Sequence, residues 1–303
     1  MNGIINIYKE KGYTSHDVVA KLRGILKTKK IGHTGTLDPD ATGVLPVCIG
    51  NATSLCDLLT DKIKIYDAEI LFGLATDTED ISGVVMKNCP VDFTEEDLKN
   101  RLKDFIGNIQ QVPPMYSAIK VNGKKLYELA REGIEVERKP RPVEIYEIIL
   151  KSVTKENDKV KEARITVKCG KGTYIRSLCR DIGESLGSCA CMKSLERCTS
   201  GIFDKECAVK LDEVERLFKE GKIEDILLPT EYFFKNDGSF VIKDEFKRFL
   251  LNGNKIFAAD VVINKDPLDG NLFKAYTSDG EFKAVYSFDI NTGVFSPYKM
   301  FLQ

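Results

Sequence analysis

Apolar positions recur along this chain with two periods, and the change from one to the other sets out its elements. Residues 3–8 (GIINIY) form a short, nearly continuous apolar run and read as a strand. Thr14, with Asp17 three residues on, has the form of a capping box at a helix start. Val18, Val19, Leu22, Ile25 and Leu26 follow at helical spacing to about Lys29. VLPVCIG, from Val44, is a short apolar strand, and KIYDAEILFG (64–73) is another, with Tyr66 near its start. Residues 74–104 are acidic and polar. Within them Thr94 and Asp97 repeat the capping box, opening a helix through Leu98, Leu102 and Phe105 that closes at Gly107.

Val-Asn-Gly-Lys (121–124) predicts a tight turn. Lys124–Glu132 predicts a short helix stopped at Gly133. EIYEIILKSV and KVKEARITVKC, within 143–169, read as two strands joined by a polar turn near Glu156–Asp158. A Gly-rich turn at 170–172 leads into a helix over Ser177–Leu186, with Leu178, Ile182 and Leu186 on one face and Gly187 as terminator. Residues 211–220 form a further amphipathic helix. Pro229, Asn236, Asp237 and Gly238 mark a boundary. Beyond it a short helix (Lys243–Leu251) precedes four strand-like segments, with Asp279-Gly280 as a hairpin signal between two of them.

Composition narrows the function. With 303 residues, 43% hydrophobic and 30% charged, the chain suits one large domain or a medium and a small one. A net charge of −1 gives no polycation signature, so nucleic-acid affinity must come from local clusters. Two clusters exist: an excess of five positive charges in residues 1–36, and an excess of three in 112–142, where Tyr116 and Tyr127 interleave with the cations. Each reads either as a solvated face or as a surface for an RNA backbone with splayed bases. Nine scattered cysteines without a CxxC pair, and only two histidines (His16, His33), make no zinc set. They fit reduced, buried thiols in a reducing cytosol. No leader-like or membrane-length apolar run is seen, so a soluble cytoplasmic protein is expected. The Gly-rich turn at 170–172 lacks the rest of a dinucleotide or P-loop signature.

The chain is organised around residues 31–46, IGHTGTLDPDATGVLP. Three glycines and two prolines make this a tight loop rather than a helix or strand interior. Pro39 biases Asp38 toward an extended backbone, which can hold one carboxylate at a fixed angle in a cleft. By itself an Asp-Pro in a Gly-rich loop is ordinarily only a turn. The string GHTGTLDPDATGVLP, however, closely resembles the signature loop of the TruB-type tRNA pseudouridine synthases. The resemblance continues through 62–73, 112–136 and 170–187, in the family's order, and covers about residues 4–205.

That resemblance implies an α+β fold: a large mixed, mostly antiparallel sheet flanked by helices around a central cleft, then a small β-barrel like a PUA domain. Residues 1–235 would be the catalytic domain, with an RNA-clamping insertion at 115–142, and 236–303 the PUA-like domain. It implies isomerisation of uridine to pseudouridine in the T-loop of tRNA, at position 55, with base flipping and no metal or other cofactor. Asp38 is the implied catalytic carboxylate. Tyr66 would stack on the uracil and is a candidate for C5 deprotonation. Arg176, in GTYIR, would pair with Asp38 and keep it ionised. His33 would fill the space left by flipped bases, Lys64 and Tyr174 would flank the site, and Leu195 would line the uracil pocket. Lys9, Lys120, Lys124 and Lys125 are expected on the RNA-facing surface. One departure is visible: Glu10 follows Lys9 where the family often has proline. The implied partner is the tRNA T-arm, bound by a monomer. Two alternatives share these features: a tRNA-folding factor independent of catalysis, and a guide-RNA-dependent synthase.

Overall fold

The computed structural model describes residues 1–302 apart from 122 and 269. Strand β1 (Gly3–Lys9) leads into helix α1 (Ser15–Leu26). Here the capping box forms as its residues require: Asp17 N–H donates to Thr14 Oγ1 at 3.0 Å, and Thr14 N–H donates to Asp17 Oδ2 at 2.8 Å. The helix ends three residues before Lys29, because Lys27 turns to φ 52° in the left-handed region. Then come β2 (Ile31–His33), β3 (Thr42–Ile49), α2 (Cys56–Thr60) and β4 (Lys64–Phe72). A hairpin of β5 (Leu74–Thr76) and β6 (Val85–Asn88) precedes α3 (Glu95–Lys103) and β7 (Gly107–Gln111). The Thr94–Asp97 box of α3 also forms.

Two short strands, β8 (Lys120–Val121) and β9 (Lys124–Lys125), pair before α4 (Leu126–Arg131). This pairing moves the helix start from the expected Lys124 to Leu126. The tight turn predicted between them hinges on Asn122, which lies outside the described residues. The long strands β10 (Arg141–Glu156) and β11 (Lys159–Cys169) turn at Asn157 and Asp158, both with positive φ. Helix α5 (Ile175–Ser185), β12 (Ala190–Ser200), β13 (Phe203–Asp204) and α6 (Leu211–Lys219) complete this part.

These strands make one nine-stranded sheet with the path β1-β3-β12-β4-β11-β10-β7, with β2 on β3 and β13 on β12. All its pairings are antiparallel except β3 with β12. In β4 every second residue is buried, so one face carries Tyr66, Ala68, Ile70 and Phe72 inward. Leu98 and Leu102 of α3 and Leu178 and Ile182 of α5 pack in the same core. A second core joins α1 and α6 to Ile5, Ile7, Leu45 and Val47. The fold is therefore α+β, with a mixed, mostly antiparallel sheet.

A six-stranded second sheet follows: β14 (Gly238–Ile242), β15 (Ile256–Phe257), β16 (Val261–Ile263), β17 (Leu272–Tyr276), β18 (Phe282–Asp289) and β19 (Val294–Met300). Its order is β15-β19-β18-β17-β14-β16, and Phe240, Phe273, Tyr286 and Phe295 fill it. The helix expected over Lys243–Leu251 is a 3₁₀ turn at Asp244–Phe246 followed by α7 (Lys247–Leu251). Val285 and Phe301 of this unit pack with Ile4, Val44 and Phe234 of the first.

One expectation fails. Not all the cysteines are free thiols: Cys89 and Cys189 form a disulfide across 100 residues, with Cα atoms 5.7 Å apart. The Gly73 N–H donates to the Cys189 carbonyl at 2.8 Å, and the Cys89 N–H to the Gly73 carbonyl at 3.0 Å. One glycine thus gathers both cysteines, which no local spacing reveals.

Gly43 is where β3 meets β12. At φ 107°, a Cβ there would fall 2.2 Å from the Arg197 carbonyl oxygen. Gly43→Ala is expected to cost on the order of 3 kcal/mol, read as a lowered melting temperature. Gly24→Ala, on the exposed side of α1 with nothing within 4 Å, is expected to raise it by about 0.5–1 kcal/mol.

Candidate active site

The loop between β2 and β3 is held along its length. The Thr34 N–H donates to the Pro46 carbonyl at 3.2 Å, and the Leu37 N–H donates to Ser15 Oγ at the start of α1 at 2.9 Å. The Gly12 N–H and the Lys9 amine both donate to the Pro39 carbonyl, at 2.9 and 3.1 Å. The Ala41 N–H donates to the Asp38 carbonyl at 3.1 Å. Asp38 is thereby fixed, with 31% of its side chain open.

Arg176, on the first turn of α5, reaches Asp38 from the other side. Its Nη2 donates to Asp38 Oδ1 at 2.9 Å and to the Tyr116 carbonyl at 2.9 Å. Its Nη1 donates to the Thr78 carbonyl at 3.1 Å and lies 4.0 Å from Asp80. Burial pushes the Asp38 carboxyl above the usual carboxylate range. Arg176 and Lys9 oppose that shift, while Asp80 adds to it. Arg176 thus acts in the direction expected of it, toward the ionised form, against a larger opposing influence of burial.

Tyr66 is buried on β4, and burial raises its phenol above the ordinary value. Leu195, also buried, stands on β12 opposite Ala68, beside the Tyr66 position. Tyr174 sits at the entrance of α5. There the Gln111 side chain both accepts from its N–H at 2.8 Å and donates to its carbonyl at 3.0 Å. His33 meets His16 edge to face with ring centres 5.3 Å apart, and its Nδ1 is buried with no partner. Burial, reinforced by His16, lowers the His33 pKa and favours the neutral ring.

Two lysines of the expected site, Lys9 from the RNA-facing set and Lys64 from the flanking set, are enclosed. Lys9 is fully enclosed, and its amine donates to the carbonyls of Glu10, Tyr13 and Pro39. Lys64 is also buried and donates to the carbonyls of Thr60 and Lys62. Burial pulls both amines down to about 8. Both amines brace backbone carbonyls of the segments that carry or adjoin the Asp38 loop and β4. Lys120 and Lys124 are exposed on the β8–β9 hairpin, with Lys124 3.3 Å from Glu132. Lys125 lies 5.3 Å from the centre of the Tyr127 ring.

Several residues went unseen in the sequence. Glu79, in the acidic stretch, is buried at φ 63° and gathers three partners. The Ser177 hydroxyl donates to it at 2.6 Å, Arg180 pairs with it, and Arg138 stands 3.9 Å away. Arg180 and Arg138 in turn donate to the carbonyls of Val112 and Pro113. Nothing local distinguished Glu79 from a solvated carboxylate. Arg197 is enclosed opposite Tyr66 on β12; its spacing of two from Leu195 was the available signal. Asp67, Glu196 and Cys198 bring possible metal-ligand atoms within 4.8 Å of one another. The Asp67 carboxylate already accepts from Thr166, and that of Glu196 from Tyr8 and Lys205, so they read as a polar network.

Residues 23–175 match the family model of the TruB family pseudouridylate synthase N-terminal domain. Residues 176–235 match that of the tRNA pseudouridylate synthase B C-terminal domain. The chain belongs to the TruB family. It is 50% identical to tRNA pseudouridine synthase B of Lachnoclostridium phytofermentans over all of both chains. It is 40% identical to tRNA pseudouridine synthase B of Bacillus subtilis, over 100% of this chain and 98% of that one. Among solved structures, a chain of a Cbf5-Nop10-Gar1 complex matches with a TM-score of 0.73 and 26% identity, over 99% of this chain and 85% of that one. In this TruB-family chain the two matched segments meet at the Asp38–Arg176 pair and along β4 and β12: Asp38 and Tyr66 belong to the first, Arg176 and Leu195 to the second.

Glu79→Gln keeps a partner for Ser177 but removes the counter-charge of Arg180 and Arg138. It is expected to lower stability by on the order of 2 kcal/mol, seen as an earlier urea midpoint. An unchanged midpoint would take the clasp out of the stability of the cleft.

Proposed function

We propose that this chain isomerises uridine to pseudouridine at position 55 in the T-loop of tRNA, with Asp38 as its essential carboxylate. The observation that carries the reading is the Asp38–Arg176 pair at 2.9 Å, its carboxylate partly open, with Tyr66 and Leu195 buried nearby on β4 and β12. The reaction breaks the N1–C1′ bond, turns the uracil while it stays bound, and joins C5 to C1′. Such chemistry needs a carboxylate beside the ribose, a platform for the free base and a route for the C5 proton. Asp38 supplies the first, Tyr66 and Leu195 the second, and Tyr66 is the candidate for the third.

The target base lies within a folded RNA loop and must be flipped to reach Asp38. His33, held neutral, suits a space-filling role better than proton transfer. Residues 115–142 act as the RNA clamp, with Lys120, Lys124 and Lys125 toward the phosphates. Tyr116 of this segment touches Arg176 through its carbonyl, which links the clamp to the catalytic pair. Lys9, Lys64 and Tyr174 position this set from behind. Residues 1–235 serve as the catalytic domain and 236–303 as a PUA-like RNA-binding domain, in a monomer acting in the cytoplasm. A folding factor independent of catalysis has no need of the Asp38–Arg176–Tyr66 set, and the relatives' names favour a tRNA enzyme over a guide-dependent one.

Tritium release from tRNA labelled at uridine C5 is expected from the wild type alone. Asp38→Asn is expected to lower it by roughly a thousandfold or more while RNA binding persists. Since the carboxylate is the active form and its pKa is raised, the rate should fall on acidification with a midpoint above the ordinary 3.8. A midpoint at or below 3.8 would mean that burial does not govern this group. Replacing both Lys124 and Lys125 by Ala should weaken tRNA binding and flatten the slope of log affinity against log salt by about 2. An unaltered slope removes them from the interface.

A further inference from the structure

Arg197 is among the largest side chains the protein encloses completely, with 1% of its surface exposed. Its Nε donates to the Val44 carbonyl at 2.7 Å. Its Nη1 lies 3.6 Å from where a Cβ on Gly35 would stand, inside the loop that carries Asp38. Across the sheet it faces Tyr66, and Leu195 is two residues away on the same strand, so these side chains share one face. Its Nη2 is buried with no hydrogen-bond partner. Among the described residues no carboxylate lies within ion-pair distance of it. Lys9 and Lys64, the other enclosed cations here, are likewise without ion pairs among the described residues, and both feel the Arg197 charge. A guanidinium enclosed without a counter-charge, its hydrogen bonds going to the Val44 carbonyl and to Tyr66, is costly to keep. It has a use where an anion arises during the reaction, because donors fixed in advance around that point need no reorganisation.

The isomerisation creates such an anion. When the N1–C1′ bond breaks, its electron pair leaves with the uracil, which then bears negative charge over N1, O2 and O4. Asp38 either bonds to C1′ or takes a ribose proton. In both cases its carboxylate becomes neutral and the unit of negative charge passes to the base. After C5 joins C1′, the C5 proton departs to a base, N1 gains a proton and Asp38 regains its charge. We propose that Arg197 is the counter-charge for the departing uracil, acting from its place across the sheet from Tyr66 as Arg176 acts on Asp38. The two arginines bracket the path along which the charge moves. The inference rests on the reading of Tyr66 and Leu195 as the uracil platform.

The test compares single-turnover conversion of T-arm RNA carrying uridine or 5-fluorouridine at the target. Conversion is read as loss of the starting nucleoside after nuclease digestion and chromatography. Fluorine at C5 withdraws electrons and stabilises the uracil anion by itself. Arg197→Gln is expected to slow the uridine substrate by about 100-fold or more. The RNA dissociation constant should stay within about threefold, and the penalty with 5-fluorouridine should shrink to roughly tenfold or less. Arg197→Lys, which keeps the charge, should recover at least about tenfold of the loss. Equal penalties on the two substrates would overturn the proposal, because misplacement of Tyr66 or the loop slows both alike. So would a Lys variant that melts like the wild type yet converts uridine no faster than the Gln variant. Failure of the wild type itself to convert uridine would instead overturn the functional reading on which this rests.

Discussion

The ion pair of Asp38 with Arg176 joins residues 138 apart in sequence, and much of the fold serves to bring them to 2.9 Å. Asp38 comes from a loop that cannot move freely, since α1, β1 and β3 each hold one of its backbone groups. Arg176 comes from the first turn of α5, and carbonyls of Thr78 and Tyr116 accept from two of its other donors. A guanidinium held at both terminal nitrogens is restricted in orientation. The carboxylate it meets is raised by burial yet still touched by solvent. That combination suits a group that must hold charge at rest and surrender it during a reaction.

Around this pair lies a second layer of buried charge. Glu79 collects Ser177, Arg180 and Arg138, and the two arginines reach the carbonyls of Val112 and Pro113. One carboxylate therefore ties the loop between β5 and β6 to α5, to Arg138 and, through the arginines, to Val112 and Pro113 just before the 115–142 segment. The Asp38 side of the cleft is built differently. There Lys9, Lys64 and Arg197 are enclosed and satisfied by backbone carbonyls, in part or in full.

Much of the first layer was legible in the sequence. Both capping boxes, the alternation in β4 and the Asn157-Asp158 turn are local patterns, and local patterns survive folding. The loop around Asp38 could be read as a rigid carboxylate mount from its glycines and prolines, and the family resemblance gave it a role. What escaped was set by distant partners. Lys9 and Lys64 look like surface cations until the carbonyls that enclose them are known. Glu79 lies in a stretch of acidic, polar residues where burial has no local sign, and the β5–β6 hairpin that carries it is short and exposed. The Cys89–Cys189 bond depends on Gly73, which neither cysteine's neighbourhood announces.

The nine-stranded sheet has two ends, and they differ. At β1 the outer edge is covered: Ile4 exchanges backbone hydrogen bonds with Leu228, and Tyr8 and Asn6 are bonded by Val209. At β7 the strand is only five residues long, pairs with β10 alone, and turns Asn108 and Gln110 outward. A free row of amides and carbonyls is what stray chains add to during aggregation, and short, polar edges are poor templates for it. This sheet, assembled from strands far apart in sequence, must wait for residues beyond 200 before its β1 edge is sealed. Until then a newly made chain presents a bare, apolar rim, so the segment that carries Val209 and Leu228 protects the protein at the time when it is most exposed to wrong partners.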